Sequence, residues 1–299
     1  MLRELACIGL SRYTGQAAAG ELIGKVLRSG ELRGHHYYAN KKLMVEIAYD
    51  MGPFQLIMRG EKHGLNMVTI QAVAPALKEK RGYLLGAPEV FRGPGGTLYL
   101  EGSDRDTMET MTLALTEVYR WYREPTSFEQ PQVMASCYGM STEGKVLLGI
   151  ERTEEDLAAI KEETAYRRNM LRQAGEGRED ARNALRSYEF DNEEEIIDRL
   201  RNEDVYSIFD GFYYPAEKDD NCFTLLGDIL QVEKLMNPFS EEWVYYLDLD
   251  VLGQILRVLI HPQDLVGQPA KGRRFQGKVR FYGRLDPARM VLENQSKFF

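Results

Sequence analysis

Seven residues near the C-terminus carry the strongest chemical signal in this 299-residue chain: Lys271, Arg273, Arg274, Lys278, Arg280, Tyr282 and Arg284. From Arg274 to Arg284 they recur at even positions, so on an extended strand they share one face. A row of cationic groups can follow a phosphate backbone, and a phenol among them can stack on a base. The competing reading is a solvated strand face, or a charged edge that blocks unwanted strand pairing. A net charge of −8 disfavours a dedicated nucleic-acid protein and leaves room for a local anion site.

Other chemistry-bearing residues give weaker patterns. Asp248 and Asp250 share a strand face with Tyr246, and paired carboxylates can hold a hard cation or move protons. Two acids without a third ligand fit better as cross-strand partners of basic residues. His35 and His36, even joined by His63 or His261, have no metal-ligand spacing. Gly93-Pro94-Gly95-Gly96 lacks the Lys-Ser/Thr ending of a phosphate loop and reads as a turn. No Gly-x-Ser-x-Gly elbow is present. Cys7, Cys137 and Cys222 are odd in number and far apart, which fits buried reduced thiols rather than a disulfide framework. Neither a catalytic set, a metal site nor a cofactor is expected.

The elements that would position these residues are mostly strands. Trp243 to Val251 alternates with a period of two, and Gln254 to Ile260 is a branched apolar run closed by His261-Pro262. Phe223 to Leu235 is apolar, with Gly227 marking a bend, and Arg273 to Arg284 alternates again. Short strands joined by turns predict a small barrel of OB-like type in the last third.

Towards the N-terminus, Gly15 to Leu27 reads as a helix. Leu43 to Tyr49 and Phe54 to Met58 read as a hairpin around Met51-Gly52-Pro53. Asn66 to Ala74 is apolar on both faces and reads as a central strand. Pro75 to Gly96 reads as loop-rich, and Thr97 to Glu101 as a short strand. Met108 to Arg123 fits both periods and leans to strand. Val133 to Tyr138 and Lys145 to Ile150 suggest a second hairpin around Ser141-Thr142-Glu143-Gly144.

Residues 153 to 203 turn to Ala, Glu, Arg and Leu, with Gly175 and Gly177 between two helical runs. Leu157, Ile160, Thr164 and Leu171 make a thin apolar stripe, so this arm is expected to pack against the protein's own domains or a second copy. Ile196, Ile197 and Leu200 mark a third helix. Charge follows the same division, with nets of +1, −7 and −2 over residues 1–150, 151–205 and 206–299.

Gly227-Asp228-Ile229, the run Gly267 to Gly283, and the opening Ile8-Gly9-Leu10-Ser11 resemble a family of uncharacterised bacterial proteins of the clostridial group. The resemblance supports a fold grouping and implies no activity.

The sequence therefore predicts an α+β protein. It would have a mainly antiparallel N-terminal domain (1–150), a central helical arm (151–205) and a C-terminal small β-barrel (206–299). No membrane span or signal peptide is legible, and the reading is cytoplasmic. The expected function is non-catalytic binding or scaffolding, with partners unknown and self-association through the arm as one route. The alternatives are an enzyme with a small-molecule pocket between the two domains, and a weak nucleic-acid or anion binder at the seven basic and aromatic residues.

Overall fold

The computed structural model describes residues 3–37, 43–64, 67–78, 82–93, 97–104, 110–118, 132–149, 153–175, 177–184, 187, 211–216 and 221–285. It opens with 3-10 turns over Arg3–Ile8 and Ser11–Tyr13, followed by helix α1 (Gln16–Ser29). Then comes a four-stranded antiparallel sheet of β1 (Glu31–Tyr37), β2 (Leu43–Met51), β3 (Phe54–His63) and β4 (Met67–Leu77), in that order. Gly52, at φ +65°, supplies the left-handed turn of the β2–β3 hairpin.

The remaining strands form one ten-stranded sheet. They are β5 (Gly82–Arg92), β6 (Leu98–Asp104), β7 (Thr110–Leu115), β8 (Gln132–Leu147), β9 (Phe212–Pro215), β10 (Cys222–Met236), β11 (Trp243–Val251), β12 (Gln254–Ile260), β13 (Leu265–Val266) and β14 (Arg274–Leu285). Helix α2 (Glu154–Gly175) lies between β8 and β9 in the chain.

This sheet closes on itself twice. In one ring, the meander β5-β6-β7 is completed by β14, parallel to β7, and by β8, antiparallel to both β14 and β5. In the other, the meander β10-β11-β12 is completed by β8, parallel to β12, and by β14, antiparallel to both β8 and β10. The two rings have the same strand order with β8 and β14 exchanged. Each leading strand bends at a register shift, between Gly86 and Glu89 in β5 and between Ile229 and Gln231 in β10. Closing a sheet with so few strands demands such bends.

Both interiors belong to one continuous core, running from Leu85, Leu100 and Leu113 to Leu247, Leu256, Phe275 and Phe281. A second core, built from Leu5, Ile8, Leu22, Phe54 and Leu56 with Tyr138, Met140, Val244 and Leu259, packs the four-stranded sheet and α1 on the outside of the ring walls.

The protein is therefore mainly β, with large sheets, and the expected α+β class with a central helical arm is corrected. After Gly177, α2 is followed by a further helical stretch over 179–184, and among the described residues of 177–184 only Ala181 is buried. The side chains of Leu157 and Leu171, and the helix expected at 193–200, lie outside the described residues. The C-terminal strands also do not close a barrel alone, because β8, from residues 132–147, completes their ring. The OB-like reading of the last third saw only four of the five strands that ring needs.

Three local expectations are corrected as well. The expected hairpin at 133–150 is one continuous strand, in which Gly144 is needed for close approach: a Cβ there would lie 2.6 Å from the Phe275 ring. The stretch read as loop-rich contains β5, and its Gly86 and Pro88 mark the bulge rather than a break. β4 is an edge strand, paired only with β3 among the described strands; Ala76 and Leu77 join the second core and Val68, Ile70 and Val73 pack against it, while Met67 is exposed. The strands of the last third, the first hairpin and α1 lie where their periodicity places them.

The N-terminal segment is wedged between the two sheets. Leu5, Cys7, Ile8 and Leu10 are at most 1 % exposed. The Ser11 amide donates to Glu242 Oε2 (2.8 Å), Asn237 Nδ2 donates to the Ile8 carbonyl (2.6 Å), and the Cys7 thiol donates to the Ser141 carbonyl (3.2 Å). These bonds fix where Glu4, one turn earlier, can reach. Among the described residues, no helix is long and apolar enough to cross a membrane.

A polar cleft between the sheet and the ring wall

Alternation along β14 sends Phe275, Val279 and Phe281 into the core and the even-numbered residues to the other side. Those residues do not form an open cationic face. Arg274 is 1 % exposed, with its Nε 3.4 Å from Asp228 Oδ1. Lys278 meets Glu143 at 3.2 Å, Arg280 meets Glu4 at 3.1 Å and Arg284 meets Glu117 at 3.2 Å. Tyr282 stacks on Tyr138 of the neighbouring strand. Lys271 and Arg273 sit exposed in the preceding turn, where Arg273 donates to the Gln268 carbonyl (2.9 Å).

Asp248 pairs with Arg257 on the adjacent strand at 3.1 Å, and Asp250 accepts from the Gly253 amide at 2.7 Å. Each basic residue of β14 thus finds its acid on a different element, none of them β11. His35 is exposed on β1, His261 is buried as the cap of a 3-10 turn, and the His36 side chain lies outside the described set. Among the described residues, no three His, Cys, Asp or Glu side chains gather as a metal site requires.

What the structure does bring together is a polar cleft of about 150 Å³ where β3 and β4 face β6, β7 and β14. Its polar lining is Glu4, Arg59, Thr97, Tyr99, Asn221, Arg280 and Tyr282, over a floor of Ala72, Val73, Ala74, Ala114 and Leu115. That volume matches a core cavity that accepts a benzene-sized molecule, about 150 Å³.

Asn221 and Arg59 also hold the fold together. Asn221 clamps β14 at the mouth, donating through Nδ2 to the Phe281 carbonyl (2.6 Å) and accepting the Phe281 amide at its own carbonyl (2.9 Å). Its side-chain oxygen receives Arg280 Nη1 at 3.5 Å. Arg59 reaches across from β3, where Nη2 donates to the Leu115 carbonyl (3.1 Å) and Nε lies 4.0 Å from Glu46 Oε2. Glu46 is 3 % exposed and accepts the Val118 amide at 3.0 Å, so this charge pair ties the sheet to the end of β7. Burial pushes the Tyr282 phenol well above its ordinary range; the nearby Glu4 carboxylate adds to this and Arg280 opposes it. Tyr282 is therefore a neutral hydrogen-bonding group at physiological pH.

Of these residues, sequence reading singled out only Arg280 and Tyr282. Glu4, Arg59, Tyr99 and Asn221 come from four separate segments and carry no shared motif, so nothing local marked them. A larger groove, about 320 Å³, is lined by Lys234, Trp243, Val244, Tyr245 and Pro262. It is mostly apolar and lacks the convergent polar groups that orient a small ligand.

The fold and cleft define a mainly β protein of two strand-sharing rings with a covering sheet. The chain belongs to the family described as a domain of unknown function named for an E. rectale gene, DUF3881, whose model matches residues 5–283. No curated protein and no solved structure matches it.

Proposed function

We propose that this is a non-catalytic binding protein that holds a small polar ligand in the cleft between the four-stranded sheet and the ring wall. The observation that carries this reading is the convergence of Glu4, Arg59, Asn221, Arg280 and two phenols on one cavity, from segments distant in the chain. A few well-placed polar groups over an apolar floor are how small-molecule sites fix orientation. Support for a binding reading comes from the lining itself, whose charged groups already hold structural contacts: Glu4 with Arg280, and Arg59 with the Leu115 carbonyl and Glu46.

A thermal-shift screen of small polar metabolites against the wild type and Arg280→Met tests the reading. A ligand held at about 100 times its Kd stabilises by about 2.7 kcal/mol, which gives a clear rise in Tm. The expected result is a compound that stabilises the wild type and loses its effect in Arg280→Met. Compounds that stabilise both proteins equally would place the ligand elsewhere.

A further inference from the structure

Resting on that reading, we infer that the cleft takes a compact organic carboxylate, and that Glu4 is a built-in competitor that the ligand displaces from Arg280. Among the described residues, the carboxylates of Glu46 and Glu4 face the guanidinium groups of this cavity, and they differ in their freedom to leave. Glu46, beside Arg59, is 3 % exposed and holds the Val118 amide. Moving it would strand a buried donor and break the contact between the sheet and β7. Glu4, beside Arg280, is 20 % exposed in its side chain and sits in the first described turn, before the anchor begins at Leu5. Its side chain can rotate away without disturbing Leu5, Cys7 or Ile8.

Arg280 is the better anchored member through its strand and Asn221. Its side chain is 32 % exposed, but its backbone lies inside β14, paired with Cys222 on one side and Met140 on the other, and its Nη1 is held by Asn221 Oδ1 at 3.5 Å, whereas the Glu4 side chain projects from the start of the N-terminal turn. The exchangeable member of the pair is thus the anion, and a ligand that replaces it must carry the same charge. Exchange leaves the charge balance of the cleft unchanged, so no unpaired ion is buried. The planar fork of Arg280 already presents Nε to a carboxylate oxygen at 3.1 Å, the geometry a ligand carboxylate would inherit. The 150 Å³ volume and the alanine floor limit the rest of the ligand to a short or single-ring body, with the Tyr99 and Tyr282 phenols beside it.

The test is calorimetric titration of benzoate, with inorganic phosphate as a second probe, into the wild type, Glu4→Gln and Arg280→Lys. Removing the competitor should tighten benzoate binding in Glu4→Gln by roughly two- to fivefold, the equivalent of one partly exposed ion pair. Arg280→Lys, which keeps the charge and loses the fork, should weaken it. Equal benzoate affinity in wild type and Glu4→Gln, with loss in Arg280→Lys, would overturn the competitor role while the cleft stands. Binding of phosphate in preference to benzoate, or no benzoate binding to any form, would overturn the carboxylate assignment; the cleft is then judged by neutral and cationic compounds in the screen. If Glu4→Gln fails to fold by circular dichroism, Glu4→Asp, whose shorter side chain withdraws from Arg280, should show the same tightening, and its absence counts against the inference.

Discussion

Tyr138 on β8 lies directly opposite Tyr282 on β14, their rings stacked at 6.3 Å between centroids and 14° from parallel. On either side of this pair, Cys137 faces Gly283 and Gly139 faces Phe281. The pattern is that of a local twofold axis exchanging the two shared strands, and the repeated Tyr-Gly dipeptide is its trace in the sequence. Each glycine sits where the other strand brings a bulky or backbone group close. A Cβ on Gly139 would strike the Val279 side chain, and one on Gly283 would strike the Ser136 carbonyl.

Gly283→Ala is therefore expected to cost about 1–3 kcal/mol through overpacking against backbone that cannot yield. Gly20→Ala on the exposed face of α1, where nothing lies within 4 Å, should instead stabilise by about 0.5–1 kcal/mol. Urea denaturation of both variants gives the two signs; a neutral Gly283→Ala would contradict the close approach of β8 and β14.

The twofold relation also explains which parts of the fold were legible. Periodicity located β2, β3, β10, β11, β12 and β14 because each alternates on its own. It could not reveal that β8 closes the C-terminal ring, since a parallel pairing between residues 139–141 and 258–260 leaves no local signature. Turn residues misled for the same reason: Gly144 and the Gly86-Ala87-Pro88 bulge serve tertiary packing and ring curvature rather than chain reversal. The basic residues of β14 were visible as a set, but their acids at Glu4, Glu117, Glu143 and Asp228 come from distant segments. So the alternation was readable and its neutralisation was not.

Arg274 gives a second prediction. With its guanidinium buried beside Asp228, removing the acid should cost more than removing both charges. Asp228→Ala is expected to lose about 1–3 kcal/mol, and the double variant Asp228→Ala/Arg274→Met to recover much of it. A double variant no more stable than Asp228→Ala would show that Arg274 is satisfied without Asp228.

Acid sensitivity provides a third. Burial alone would raise the Asp50 carboxyl, but the Gln55 amide at 2.6 Å, Lys78 at 2.9 Å and Arg33 at 3.6 Å outweigh it and hold the group below its ordinary range. A depressed folded-state value means the unfolded chain takes up the proton first as pH falls. The stabilisation is complete above the ordinary carboxylate range, near about pH 4, and disappears as pH falls through the folded value. Asp50→Asn should flatten the stability profile below that point and should matter less in high salt, because Asp50 is half exposed. An unchanged acid limb in the variant would contradict the assignment.

The thiols provide a fourth. Cys7, Cys137 and Cys222 are all buried and unbridged. Burial pushes the Cys7 and Cys137 thiols up, with nearby carboxylates adding to the shift, so neither forms the reactive thiolate near neutrality. A thiol reagent should find no reactive cysteine in the native protein and all three after denaturation. Fast native labelling of Cys7 would mean that the N-terminal wedge opens.

The central claim is that ligand binding belongs to the cleft lined by Glu4, Arg59, Tyr99, Asn221, Arg280 and Tyr282. The most direct measurement is NMR mapping of chemical-shift changes as the best stabilising compound from the screen is titrated in. The predicted result is that the largest changes fall on Arg59, Tyr99, Asn221 and Arg280 and saturate together. Changes centred on Lys234, Trp243 and Tyr245, with the cleft silent, would contradict it.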